Sequence, residues 1–372
     1  MLAHSTNPRG GVVHALELCE ALAAQGHEPT LFAPDTVGLG FYRDAACEVR
    51  PWAAAPAPRD VRALVALRRG ELGVLFTPSL CERFDVFHAQ DSISANALAD
   101  LCEVGRIGGY LRTVHHLDAF ADAELTALQA RGVIAARGLF AVSRSGQAAL
   151  LEAFGHGATL VGNGVDTARF SPSPDENDAG LRERLNLSGG PVVLSLGGIE
   201  KRKNTLGILQ GFLALRRTYP QAVLLIAGEA SLLDHSVYQH EFFAALVQSG
   251  LPEGVICVLG KIAQAEIPAL YRLADVLAFP SLHEGFGLAV LEAMASGTPA
   301  VVPRCAPFME YLADGDAAWC DAGDIGAALK FALENAASLR PRGLSVAARW
   351  RWADVAAAHL PLYQQQREAA HA

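Results

Sequence analysis

The sequence predicts an α/β protein of two Rossmann-like halves that face each other across a cleft. Three observations predict it. Short apolar strands alternate with amphipathic helices along most of the 372 residues. The alternation breaks once, in a charged, turn-rich stretch at 163–180, and then restarts. Residues 276–302 carry strand, glycine loop, helix and strand in immediate succession, the order of a parallel βαβ crossover. A chain this long exceeds a single core. The expected division is a first domain at 1–170, a second at 171–345 and a last helix at 346–372, with a hinge near residue 170.

Each element has its own signal. Gly10 and Gly11 read as a loop before an amphipathic helix at 12–24, which Gly26 ends before a strand at 29–34. Strands follow at 84–90, 110–117, 138–143 and 158–164. Helices at 92–104, 122–129 and 144–155 separate them. The segment 163–180 reads as the linker. Beyond it, strands are expected at 190–198, 222–229, 255–261, 276–280 and 298–302, with helices at 204–220, 240–250, 266–275 and 288–296. One element is too short. Only Met1 to His4 precede the loop before the first helix, where a strand has about five residues. The first strand is curtailed, as a displaced start would make it.

Composition narrows the class. The hydrophobic share is 51% and the net charge is −9, which argues against a general nucleic-acid binder. A local basic site remains open, because a phosphate needs only one or two cations. Seven cysteines show no CxxC pair and read as reduced, mostly buried thiols. No apolar run approaches a membrane span and no signal peptide opens the chain, so a cytoplasmic location is expected. Arg59, Arg62, Arg68 and Arg69 share a helical region that is either a solvated face or a peripheral contact with the inner membrane face.

The chemistry concentrates at 280–303. Glu284 and Glu292 lie eight apart around Gly285-Phe286-Gly287, and a helix starts at Leu288. A helix N-terminus has unpaired N–H groups and a partial positive charge, which suit a phosphate. Glycines let the backbone come close. Carboxylates repel phosphate but accept hydrogen bonds from sugar hydroxyls. Together these groups suggest a nucleotide sugar. An acid–base pair of a glycosidase is the competing reading of two carboxylates, but it needs no phosphate loop. At the end of the second half's first strand, after Gly198, Lys201, Arg202 and Lys203 crowd one loop, with Glu200 offsetting one charge. A diphosphate belongs there; a solvated basic turn is the plainer alternative. His115 and His116 end a strand, so alternation sends their rings to opposite faces and one at most meets a ligand. With Asp118 they form no spacing typical of a metal site.

These motifs resemble the retaining GT-B glycosyltransferases of family 4, kin to sucrose synthase, glycogen synthase and bacterial mannosyltransferases. The likeness runs along nearly the whole chain: Gly10-Gly11 with Gly26-His27, Thr113-Val114-His115, the turn from Asn163 to Asp166, and the paired glutamates from Glu284 to Glu292. The resemblance implies a metal-independent hexosyltransferase-type enzyme without a cofactor. Its partners would be a nucleoside diphosphate sugar and an unidentified acceptor. It further implies that Glu284 contacts the donor sugar, Glu292 the ribose, the amides of Phe286 to Leu288 the sugar or diphosphate, and Lys203 the diphosphate. His115 would hold a sugar hydroxyl, with Gly11 beside the ligand. The last helix would cross back to the first domain on Trp350, Trp352 and Tyr363. One departure matters. Many members carry an arginine where this chain has Gly198, so Arg202 must supply the second cation. A GT-B phosphorylase or epimerase, or a catalytically weak nucleotide-sugar-binding protein, are the alternatives.

Overall fold

The computed structural model describes every residue except 188, 230–234, 322 and 372. It divides into two compact units, Met1–Gly164 with Trp352–Ala372, and Val165–Arg351.

In the first unit the strands are β1 (Thr30–Asp35), β2 (Glu48–Ala53), β3 (His88–Ala89), β4 (Leu111–Val114), β5 (Gly138–Ala141) and β6 (Thr159–Leu160), all paired in parallel. They run β2-β1 and β3-β4-β5-β6, and the N-terminal residues join the two groups. Leu2 bridges Phe32 on one side and Ala89 on the other. Its N–H donates to His88 O at 2.9 Å, and its own carbonyl accepts from Gln90 at 3.0 Å. Residues 1–3 therefore occupy a strand position between β1 and β3, with Leu2 only 1% exposed. β2 carries no sequence alternation and contains Pro51. It is tolerated because it lies at the sheet edge, where a missing N–H costs little.

In the second unit β7 (Val192–Leu196), β8 (Val223–Ala227), β9 (Ile256–Gly260), β10 (Val276–Ala278), β11 (Ala300–Pro303) and β12 (Ala318–Cys320) form one parallel sheet in the order β12-β11-β10-β7-β8-β9. Val193, Leu224, Ile226, Val276 and Val301 are buried in its core with Phe212 and Phe242. The chain order reverses beside β7, between its neighbours β8 and β10. Open α/β sheets bind ligands at such a switch point, outside the carboxyl ends.

The boundaries differ from the expected ones. Val165 to Phe170 belong to the second unit. The Val165 N–H donates to Trp350 O at 2.9 Å, and the Phe170 ring meets Tyr271 edge-on at 5.8 Å. The end of the stretch read as linker is the start of a helix, Glu176–Arg184. Asp175 and Asp178 cap its start reciprocally, and Asp178 also accepts from Arg272 at 2.9 Å. The C-terminal helix, Trp352–His371, lies in the first unit, whereas Trp350 stays in the second. Trp352 meets His14 at 5.4 Å and Tyr363 meets His88 at 5.7 Å, but Trp350 packs on Phe286 at 5.3 Å. Among the cysteines only Cys19, Cys81 and Cys320 are buried, and Cys305 is exposed. Among the described residues no helix is long and apolar enough to cross a membrane.

Candidate active site

The basic loop of the second unit is built around two glycines. After β7 the chain passes through Gly197 and Gly198 at φ +111° and +74°. Both N–H groups donate to Ala227 O. A Cβ on Gly197 would lie 2.8 Å from Lys203 Cε, so the glycine makes room for the lysine to fold back. Lys201–Lys203 form one 3-10 turn, closed by Asn204 in the left-handed region. The Leu282 N–H donates to Arg202 O at 2.8 Å and ties this turn to the Glu284 loop.

Both cations expected at the diphosphate converge on Glu284. Lys203 Nζ lies 2.8 Å from Glu284 Oε2, and Arg202 Nη1 lies 3.3 Å from the same oxygen. The ammonium also sits 4.3 Å over the Phe279 ring. Lys203 is 11% exposed and Glu284 16%, a depth at which charge pairing is little screened. Burial pulls the Lys203 ammonium below its ordinary value; Glu284 opposes that shift. Arg202 has a second carboxylate, Glu200, at 2.7 Å.

The glycine loop is fixed from one side by aromatic rings. Phe286 stacks on Tyr311 with ring centres 4.9 Å apart and planes 4° from parallel. The Tyr311 hydroxyl donates to Phe286 O at 3.3 Å. Gly287 adopts φ +97°, and a Cβ there would stand 2.6 Å from the Phe308 ring, so no other residue fits. The helix Leu288–Ala295 begins at once, with no side-chain cap. The Val290 N–H already donates to Gly287 O at 2.9 Å, which leaves the N–H groups ahead of it at this helix start without an intrahelical acceptor. Glu292, one turn further on, accepts from the Tyr271 hydroxyl at 2.7 Å, and burial raises its carboxyl.

In the first unit, Gly10 and Gly11 are the opening residues of the helix Gly10–Ala24 rather than a loop before it. A Cβ on Gly11 would meet the His115 ring at 3.1 Å. His115 Nε2 donates to Gln90 Oε1 at 3.0 Å, and burial holds the ring well below the ordinary imidazole range. His116 is exposed and lies 3.2 Å from Asp118. Behind His115 lies a group that sequence reading missed. His14 contacts the rings of His115, His359 and Trp352 at 4.9, 5.9 and 5.4 Å. Its Nδ1 donates to Asn163 Oδ1 at 2.6 Å. Burial takes His14 down to about 4 and His359 to about 3, while His88, bonded to Tyr363 and Thr113, also stays well below its usual value.

The residues expected to act together therefore fall into two groups. Gly198, Arg202, Lys203, Glu284, Gly285, Phe286, Gly287, Leu288 and Glu292 belong to the second unit, and Gly11 and His115 to the first. Of the four arginines suggested for a membrane face, three are tied to carboxylates. Arg68 is buried against Glu71 at 2.6 Å, Arg69 reaches Asp100 at 2.7 Å, and Arg62 lies 3.5 Å from Asp60. Among the described residues no group of three or more acidic, histidine or cysteine side chains has metal-site geometry.

The profile described as Glycosyltransferase Family 4 matches residues 8–169, and that described as Glycosyl transferases group 1 matches residues 179–342. A relative from Mycolicibacterium smegmatis, a GDP-mannose-dependent alpha-(1-6)-phosphatidylinositol monomannoside mannosyltransferase, is 30% identical over 98% of this chain and 97% of its own. Among solved structures, sucrose-phosphate synthase from Thermosynechococcus elongatus superposes with a TM-score of 0.79 at 22% identity, covering 99% of this chain and 96% of that one. Anabaena HepE in complex with UDP and glucose gives 0.75 at 18% identity, covering 98% and 97%. The fold is GT-B, and the chain belongs to the group 1 glycosyl transferases of glycosyltransferase family 4.

Proposed function

We propose that the chain is a retaining, metal-independent glycosyltransferase that moves a sugar from a nucleoside diphosphate sugar to an acceptor. The second unit binds the donor and the first the acceptor. One observation carries this reading: Glu284 bonds Arg202 and Lys203, two of the three cations of the strand-end loop, beside a helix N-terminus that has no side-chain cap. A diphosphate needs cations and N–H donors, and a sugar needs a carboxylate acceptor. Both sets occur within one pair of tied loops. The name of the mycobacterial relative and the UDP in the HepE complex support a nucleoside diphosphate donor.

On this reading the anomeric C–O bond breaks and its electron pair leaves with the diphosphate. Lys203, Arg202 and the amides of Phe286 to Leu288 take up that charge, as preorganised donors stabilise an oxyanion. The leaving group then needs no general acid, and no metal is required to neutralise it. Glu284 orients the sugar and faces the positive charge that develops at its anomeric carbon. Glu292 accepts from the ribose, and Gly198 lets the backbone approach the diphosphate. His115 stays neutral, and with Nε2–H given to Gln90 its Nδ1 accepts from a sugar hydroxyl. Gly11 leaves the space in which that ring sits.

The test is a thermal-shift panel of UDP, GDP and ADP sugars against the free nucleosides, because a ligand bound only to the native state raises the midpoint. Release of nucleoside diphosphate from the best donor is then measured, and the anomeric configuration of the product is read by NMR. Equal affinity for nucleoside and nucleoside diphosphate would remove the basis of the reading. An inverted product would overturn retention alone.

A further inference from the structure

Glu200 has no role in the reading above, yet its environment is unusual. It stands two residues before Arg202, where the chain leaves β7 for the basic turn. Its side chain is only 2% exposed, while the guanidinium that it holds is 38% exposed. Burying a carboxylate is costly unless it is paired and hydrogen-bonded. Here the pairing extends both ways. Oε1 accepts from Arg202 Nη2 at 2.7 Å, and Oε2 lies 3.5 Å from His235 Nε2, just before the helix Ser236–Gln248. The Glu200 N–H donates to the Thr205 hydroxyl at 3.3 Å, so the backbone of the residue is fixed as well.

The two cations at Glu284 are anchored differently. Lys203 is held by the Phe279 ring and by the space at Gly197. Arg202 is half-buried in the turn, and besides the two carboxylates its guanidinium reaches only the His283 carbonyl among the described residues, so it is held by hydrogen bonds rather than by a ring. Its bond to Glu200 is shorter than its contact with Glu284, 2.7 Å against 3.3 Å. When Glu284 turns to another partner, the guanidinium keeps Glu200 at 2.7 Å and the His283 carbonyl at 3.5 Å, and Glu200 is the shorter and the only charged hold of the two. Resting on the donor-site reading, we propose that Glu200 is a positioning residue. It fixes the Arg202 guanidinium as the second phosphate-binding cation at the place where this chain has Gly198, and it joins the His235 segment to the same turn.

The experiment is calorimetric titration of GDP and UDP, with guanosine and uridine as phosphate-free controls. The proteins are the full chain and its Glu200→Gln, Glu200→Asp, Arg202→Ala and Glu200→Gln/Arg202→Ala variants. Glu200→Gln should weaken the better-bound diphosphate by roughly 5- to 20-fold, within the usual range of coupling between contacting residues. The matching nucleoside should bind unchanged. In the Arg202→Ala background the same substitution should have little further effect. Glu200→Asp, which keeps the charge on a shorter arm, should fall between, and it covers the case in which the glutamine variant folds poorly. Wild-type affinity for the diphosphate in both variants, or additive losses in the double variant, would overturn the role of Glu200 alone. If neither diphosphate binds the wild type better than its nucleoside, the donor-site reading itself falls.

Discussion

Acid should loosen the first unit in a pH range where ordinary carboxylates do not yet titrate. His14 and His359 are fully buried and held down to about 4 and about 3, chiefly by burial. In the unfolded chain a histidine titrates near 6.5. Below that value the unfolded state binds more protons, so the stability is complete above about pH 6.5 and is lost as pH falls towards the folded values. The slope is about 1.4 kcal/mol per pH unit for each histidine. Between neutrality and pH 5 the two together lose about 4 kcal/mol, a large part of the ~5–15 kcal/mol that holds a domain together. His88 and His115 are shifted in the same direction and steepen the loss. Denaturant midpoints at about pH 7.5 and pH 5, followed by hydrogen exchange in the helix Trp352–His371, measure it. His359→Leu removes one site from a pocket where the ring packs 4.2 Å from Phe140, and should flatten the slope by up to about 1.4 kcal/mol per pH unit. A midpoint that does not move between the two pH values, or a variant with the wild-type slope, would refute the reasoning.

Three further outcomes are expected. Glu284→Gln should lower turnover by roughly two orders of magnitude with little change in melting temperature, the scale for losing one preorganised charged group; near-normal turnover would remove Glu284 from the mechanism. Gly11→Ala should push the His115 ring by a few tenths of an ångström and cut turnover roughly tenfold or more without unfolding the helix, as small misplacements do. Dialysis against EDTA should leave activity intact, and a loss restored by Mg²⁺ or Mn²⁺ would show that metal ligands had been missed.

The second unit was largely legible because its signals are local. The strand ending near Pro280, Gly287, the helix start at Leu288 and the basic turn all depend on neighbours a few residues apart. What escaped depends on distant partners. The Arg202–Glu284 and His14–Asn163 contacts join residues far apart in sequence, and no local spacing announces them. β2 was missed because its packing against β1 outweighs the proline and polar residues that hide it. The first turn of the helix Glu176–Arg184 reads as linker because the helix sequence is almost wholly polar. Its capping aspartates and the Asp178–Arg272 pair supply what an apolar stripe normally would. Trp350 and Trp352, two residues apart, looked like anchors of one helix. The chain changes units between them, and nothing in the local pattern marks that point.

Glu284 does more for Lys203 than share a hydrogen bond. Burial lowers the lysine, the Arg202 charge lowers it further, and Glu284 is the largest influence in the opposite direction. A carboxylate that repels phosphate is thus also what keeps a phosphate-binding ammonium protonated. This gives Glu284→Gln a second consequence, separate from turnover. With the charge removed, Lys203 loses its proton at a lower pH, and only the protonated form attracts a diphosphate. Diphosphate binding should therefore decline at a lower pH in Glu284→Gln than in the wild type. Near neutrality the variant should bind as well as the wild type or better, because a repulsive charge has gone. Lys203→Ala should lose roughly 1.5–3 kcal/mol of diphosphate binding, the scale of a charge-assisted hydrogen bond. In the double variant the alkaline decline should vanish, since the group that titrates is absent. Affinities for GDP and UDP measured from about pH 7 to pH 10 decide it. An alkaline limb at the same pH in wild type and Glu284→Gln would mean that Glu284 does not govern the lysine. A limb that survives in the double variant would mean that another group carries it.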